Sequence, residues 1–505
     1  MAKNNRLWKV QLTITDDNDP QLSTLNNHIK QEINGTGWHR MGKLMLKVGH
    51  LDQAEELYQE LLKNASTDSE RTFIYHHLGY FKDQLGKYPE AAYFYEKSLK
   101  IKEISLPPNH PDLATSYNNI AGVYNNMGEY SKALKYYEKS LKIREISPSP
   151  THPNLASSYN NIGQVYRNMG EYSKALEFYE KSLKIGEMSL PPTHPDLATS
   201  YSCIGLVYNN MGEYSKALKF YEKSNKIYQI SLPPTHPDLA TSYNNIGQVY
   251  NSMNEYSKAL EFDEKAIKIY ETSLPANHPW LATSYNNIGS VYNNMGEYSK
   301  ALEYFKKSLK IREISLALNH PDLATSYNNI GLVYHNMGEY SKALEFYETG
   351  NKIFEISLSP THPNLATSYN NIGGVCNDMG KHSKALEFYE KSLKIREISL
   401  SPTHPNLASS YNNIGGVYYN MGDYSKALKF YETVNKIFEI SLSPTHRDLA
   451  TSYNNIGGVY YNMGEYSKAL PLLEKALSIR QKSLPSTHPL IKTTIDNIAV
   501  VKKKL

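Results

Sequence analysis

The sequence predicts an all-α solenoid of stacked helical hairpins. Three observations carry this: a repeat of fixed length, an apolar spacing that is helical throughout it, and helix starts and stops at constant places within it. His110, His152, His194, His236, His278, His320, His362, His404, His446 and His488 follow one another at intervals of 42 residues, with no insertion. A constant period between about 20 and 50 residues marks a solenoid, a propeller or an array.

The spacing inside one copy decides among these. After His110, the residues Leu113, Tyr117, Ile120, Ala121 and Tyr124 recur at the three- and four-residue steps of one helix face. Tyr130, Ala133, Leu134, Tyr137 and Leu141 form a second such series, and no alternating strand pattern separates them. Each repeat is therefore two helices. Pro111 suits a first helical turn, and Asp112 favours the positive end of the helix dipole. Gly128 is a stop between the helices, and Pro148 and Pro150 prevent the second from continuing. Neither helix buries its apolar face alone; stacked neighbours bury it for both.

Composition agrees and excludes several classes. The chain has 505 residues, with 54 Lys+Arg against 50 Asp+Glu. The resulting charge of +4 excludes a dedicated polybasic nucleic-acid or membrane-surface protein. Two cysteines, Cys203 and Cys376, exclude a disulfide framework and cysteine-based zinc or iron–sulfur sites. The 43 tyrosines against 12 Phe and 3 Trp fit one short pattern copied many times. No apolar run has the length of a signal peptide or of a membrane span, so a cytoplasmic location and no membrane partner are expected.

The pattern Tyr117-x2-Ile120-Ala121-x2-Tyr124, followed by Gly128, Tyr130, Ala133 and Tyr137, resembles the tetratricopeptide repeat. The 42-residue length, the His-Pro-Asp-Leu-Ala opening and the Tyr-Asn-Asn-Ile-Gly run are similar to kinesin light chains and nephrocystin-like arrays. The resemblance implies a right-handed superhelix. It divides the chain into a non-repeat segment at 1–35, two degenerate repeats at 36–109, nine regular repeats at 110–487 and a capping helix at 488–505. Leu7–Thr15 alternates like a strand. The segment also resembles the linker of proteins that begin with an ADP-ribosyltransferase-like module, whose catalytic motifs are not recognisable here. Lys82 replaces an expected aromatic, and Pro471 is expected to kink the helix that holds it.

No catalytic, cofactor or metal site is predicted. The histidines recur on successive repeats, whose helices pack about 8–10 Å apart, whereas zinc needs its ligands about 2 Å away. They read as loop residues at helix entrances, and the tyrosines read as packing. Both cysteines read as inert thiols in or near the core. Gly35-Thr36-Gly37 before Gly42 is a poor phosphate loop.

What remains is the inner surface, which the first helices of such arrays line. One row of asparagines is predicted to project there: Asn118, Asn160, Asn244, Asn286, Asn328, Asn370, Asn412 and Asn454, interrupted by Ser202. Uncharged amides donate and accept together, so this ladder suits the backbone of a bound peptide. Gln164, Arg167, Gln248, His335, Tyr419 and Tyr461 vary between copies and are candidates for reading its side chains. A second row, Asn119, Asn161, Asn245 and their equivalents, is expected to bond adjacent first helices. Arg167 is the one cation of the predicted stripe. This disfavours a carboxylate clamp of the chaperone-binding kind, and it disfavours RNA, whose phosphates require Lys or Arg. The expected function is a non-enzymatic scaffold that binds a peptide or helix in the concave groove. Self-association is compatible with the repetition. The alternative is a partner-binding region of a larger enzyme, such as an ADP-ribosyltransferase-like protein.

Overall fold

The computed structural model describes residues 51–146, 153–484 and 488–505. The expected strand at Leu7–Thr15 and the opening of the first degenerate repeat lie outside the described residues. Among the described residues there are 22 helices and no strand. They form an all-α solenoid. Every regular repeat pairs a first helix such as Pro195–Asn210 with a second such as Tyr214–Ser231.

The predicted punctuation is present, with one refinement. Each repeat-opening histidine with described surroundings is an N-cap. Its Nδ1 accepts the backbone N–H two residues on, at 2.9–3.2 Å from His110 to His488. This satisfies one of the orphan donors of the first turn, the task usually given to Ser, Asp or Asn. The turn glycine closes the first helix at positive φ, 77° at Gly128, and Asn254 takes the same conformation at 62°.

The second helix is tied to the next repeat in two ways. Arg144, Arg312 and Arg396 donate from Nη1 to a serine hydroxyl of the following first helix, at 2.7–2.8 Å, and to a carbonyl beside it. Where Tyr228 or Phe438 replaces the arginine, an asparagine three residues earlier takes over. Asn225 Nδ2 donates to Ser242 Oγ at 2.7 Å, and Asn435 Oδ1 accepts from Ser452 Oγ at 2.8 Å. Outside, the first tyrosine of most first helices reaches back to a glutamate, as Tyr411 to Glu397 at 2.8 Å, and Gln229 takes that place for Tyr243.

Lys82, where an aromatic was expected, is buried and paired with Glu55 at 2.7 Å and Glu90 at 2.5 Å. Pro471 lies inside Tyr466–Ser483 without ending it; that helix keeps the common length of 18 residues. The final helix, Pro489–Lys502, buries Ile491, Ile498 and Val501 and leaves Lys502, Lys503 and Lys504 exposed.

The array winds far enough to touch itself. Gly86 meets His320 and Pro321, Gly128 meets His362 and Pro363, Gly170 meets His404, and Gly212 meets His446. Every glycine–histidine offset is 234 residues, six 42-residue repeats less the 18 that separate each glycine from the opening of its own repeat, so one superhelical turn takes about six repeats. Along this seam Ser359 Oγ donates to the Met127 carbonyl at 2.7 Å, and Ser401 N–H donates to the Met169 carbonyl at 3.2 Å. Leu400 packs into a core cluster with Tyr130 and Tyr137 of the preceding turn.

Candidate binding groove

First helices of successive repeats lie against one another on the inner side of the coil. With about six first helices to a turn, they enclose a bore along the superhelix axis.

Its wall is held by two amide ladders that link residues 43 apart, one repeat plus one residue. In the first ladder the predicted rows bond each other. Asn161 donates to Asn118 at 2.8 Å, Asn329 to Asn286 at 2.6 Å, Asn413 to Asn370 at 2.8 Å and Asn455 to Asn412 at 3.0 Å. The amide oxygens of Asn118, Asn286, Asn370 and Asn412 are thus engaged by the protein itself. Asn244 and Asn328 are buried, and Asn244 Nδ2 donates to Ser284 Oγ at 2.8 Å. Asn160 and Asn454 are half-buried, and their Oδ1 atoms have no donor among the described residues.

The second ladder lies two helical turns further on. Asn168 donates to Asn125, Asn294 to Asn251 and Asn336 to Asn293, each at 3.0 Å. The sequence reading missed it. Its signal was the asparagine that ends most first helices, read at a 43-residue offset. Four of the candidate side-chain readers, Arg167, His335, Tyr419 and Tyr461, belong to this row. His335 Nε2 bonds Asp378 at 2.7 Å, and Tyr419 Oη accepts from Asn462 at 2.5 Å. Arg167 donates from Nη2 to Asn168 at 2.8 Å, while its buried Nε has no partner among the described residues. Tyr461 packs its ring against Tyr466 at 5.6 Å. Gln164 and Gln248 are exposed.

Among the described residues no three His, Cys, Asp or Glu side chains converge as metal ligands, and no helix is long and apolar enough to cross a membrane. Cys376 is buried and Cys203 half-buried, and burial raises the pKa of both thiols.

The family model described as Tetratricopeptide repeat matches residues 112–188, 196–272, 280–356, 322–398, 364–440, 406–482 and 448–504, and a second model of that description matches 74–112. No curated protein matches the chain. Solved structures of similar fold include kinesin light chain-like nearly identical TPR-like repeats from Podosopora anserina. These are 22% identical, cover 41% of this chain and 98% of that one, and have a TM-score of 0.34. BtubC (BKLC) from P. vanneervenii is 20% identical over 46% of this chain and 91% of its own, at 0.36. A Rap protein complexed with competence and sporulation factor is 14% identical over 74% of this chain and 99% of its own, at 0.49. At these identities the likeness is one of fold.

Proposed function

The chain belongs to the tetratricopeptide repeat family, and on that premise we propose a non-enzymatic scaffold that holds a partner's polypeptide segment, in extended form, along the bore. One observation carries this reading: two ladders of amides, bonded from repeat to repeat, line the bore. The ladders fix the wall before any ligand arrives, which lowers the ordering cost of binding. An extended backbone offers donors and acceptors at a rise of about 3.3 Å per residue, which unpaired amide groups meet without regard to its side chains. A cytoplasmic location, with neither membrane nor nucleic acid as partner, belongs to the same proposal.

The test is affinity capture from native lysate, with the intact chain beside a variant that carries Gln164→Lys, Gln248→Lys and Leu332→Lys. All three positions are exposed, so circular dichroism should be unchanged while the bore is obstructed. Partners lost with the variant support the reading. Partners held equally by both place recognition on the outer helices and sink it.

A further inference from the structure

The Asn-Asn pair of the first helices is interrupted at one place. Where other repeats carry the Asn-Asn pair, the repeat opening at His194 carries Ser202 and Cys203. Both substitutions shorten the side chain, and a cavity of about 190 Å³ lies between Pro195–Asn210 and Pro237–Ser252. Cys203, Leu206, Tyr221 and Tyr228 line it together with Thr199 and Asn245. Its polar edges are already bonded within the protein. Ser202 Oγ meets Ser224 Oγ at 2.8 Å, and Thr199 Oγ1 meets the Tyr228 hydroxyl at 3.0 Å. What it presents is chiefly ring, methylene and sulfur.

Around this break, buried acceptors lack donors. Asn160 Oδ1 would take the amide of position 203, as Asn118 takes that of Asn161, but a thiol stands there. Asn209 Oδ1 would take that of position 252, but Ser252 donates to the Gln248 carbonyl instead. Asn244, only 7% exposed, also has an unpartnered Oδ1. These three acceptors belong to three successive first helices. Buried acceptors left unpaired are costly, so the packing around this break is locally weak.

We propose that the recess at Ser202 and Cys203 is a side-chain pocket of the bore, which receives one apolar side chain of leucine to phenylalanine size from an extended polypeptide. The proposal rests on the bore-binding reading and adds its specificity. A dry apolar cavity of about 150 Å³ holds a benzene molecule, so the size is adequate for a phenyl or isobutyl group. Asp238 is the charged residue of the lining, so a cationic occupant is the rival to be separated by experiment.

Cys203 reports directly on the pocket, and buried Cys376 is an internal control. The folded, full-length chain is equilibrated at mildly alkaline pH, under weak reductant, with equal amounts of disulfides that present phenylethyl, isobutyl, aminoethyl and carboxyethyl groups. Adducts at Cys203 are counted by peptide mass spectrometry. The expected result is a preference of about tenfold or more for the two apolar groups. Ser202→Asn, which restores the residue of the other copies, should reduce it to parity. Parity in the unmodified chain, a preference for aminoethyl, or no adduct where the unfolded chain is labelled each overturns the pocket. Bore binding fails separately, in the lysine-obstruction capture; if that capture succeeds while the adducts are at parity, only the pocket is wrong.

Discussion

Asp263 is the residue whose replacement should change this protein most. It stands in the second helix Tyr256–Ser273, at the position that Tyr221, Phe305 and Tyr347 fill in other repeats. It is 1% exposed, and its Oδ1 has no partner among the described residues. Burial raises its pKa from 3.8 to about 8, so the carboxyl is mostly neutral in the folded chain at neutral pH. The folded value lies above the unfolded one, so stability is fully present below about pH 4 and is lost as pH rises toward 8. Relative to a side chain that never ionises, the loss at neutral pH is about 4 kcal/mol. The site still has the shape for a ring. Gly247 faces Asp263 as Gly205 faces the Tyr221 ring and Gly331 the Tyr347 ring. Asp263→Tyr should therefore recover that loss and add roughly 2 kcal/mol of aromatic burial. The assay is urea unfolding near pH 5, 7 and 8.5, with hydrogen exchange read over 237–273 because a solenoid unfolds locally. Asp263→Asn separates the two contributions, since it removes the titration without supplying the ring. The Tyr variant should gain on the parent as pH rises. A gain that is the same at every pH would mean that Asp263 reaches water and ionises freely, and the argument from burial would be refuted.

Three further outcomes are expected. Arg396→Ala should cost about 3 kcal/mol in urea unfolding, because it strips Ser410 and the Asn406 carbonyl of their buried donor. The double change Leu393→Asn with Arg396→Phe should recover most of that, because Asn435 and Phe438 already serve the equivalent junction; failure to recover would show that the two junctions are not interchangeable. Burial lowers the pKa of His362 and His404 at the seam to about 4. Their contribution is complete above the unfolded value near 6.5 and is lost as pH falls, by up to roughly 3 kcal/mol each. Small-angle scattering should show the coil expanding near pH 4.5, and His362→Asn with His404→Asn, which keeps a capping side chain, should stay compact. Asn329→Ala should cost about 1–2 kcal/mol, since Asn286 loses its donor. A variant of full stability that loses a bore ligand would instead make the second row a ligand contact.

Helices, caps and the hairpin order were legible because each rests on residues near in sequence. Pro111, Gly128 and the Tyr117–Tyr124 face act within one repeat. The roles of the asparagines were half legible. Their rows were visible, and the second row was expected to bond between helices, but the 43-residue register depends on how far each repeat rotates against the last. The cavity was visible only as an interruption at Ser202. Asp263 left a plain mark, an aspartate within a column of aromatics, yet its consequence depends on burial that only the packing reveals.

The seam was not legible at all, because which repeat meets which is set by twist accumulated over six repeats. Once the seam is known, a difference among the loops acquires a reason. Ser359 and Ser401, three residues before His362 and His404, bond carbonyls of the turn they cover. The corresponding residues of the first turn include Pro107, Pro191, Pro233 and Pro275, with Ser149 in a loop outside the described residues. Proline has neither N–H nor hydroxyl to donate. At the other end, the turn glycines Gly296, Gly338, Gly422 and Gly464 have open space beside them. These two free edges have the same shapes as the two that meet inside the chain. A head-to-tail contact of that kind does not close on itself and propagates into a fibre. The prolines withhold the donors that such a contact would use, much as edge strands are blunted in β-proteins. Replacing Pro191 and Pro233 together by serine should therefore raise the sedimentation coefficient with concentration while leaving helicity unchanged. If the variant stays as monodisperse as its parent, the serines hold the seam without deciding who joins it.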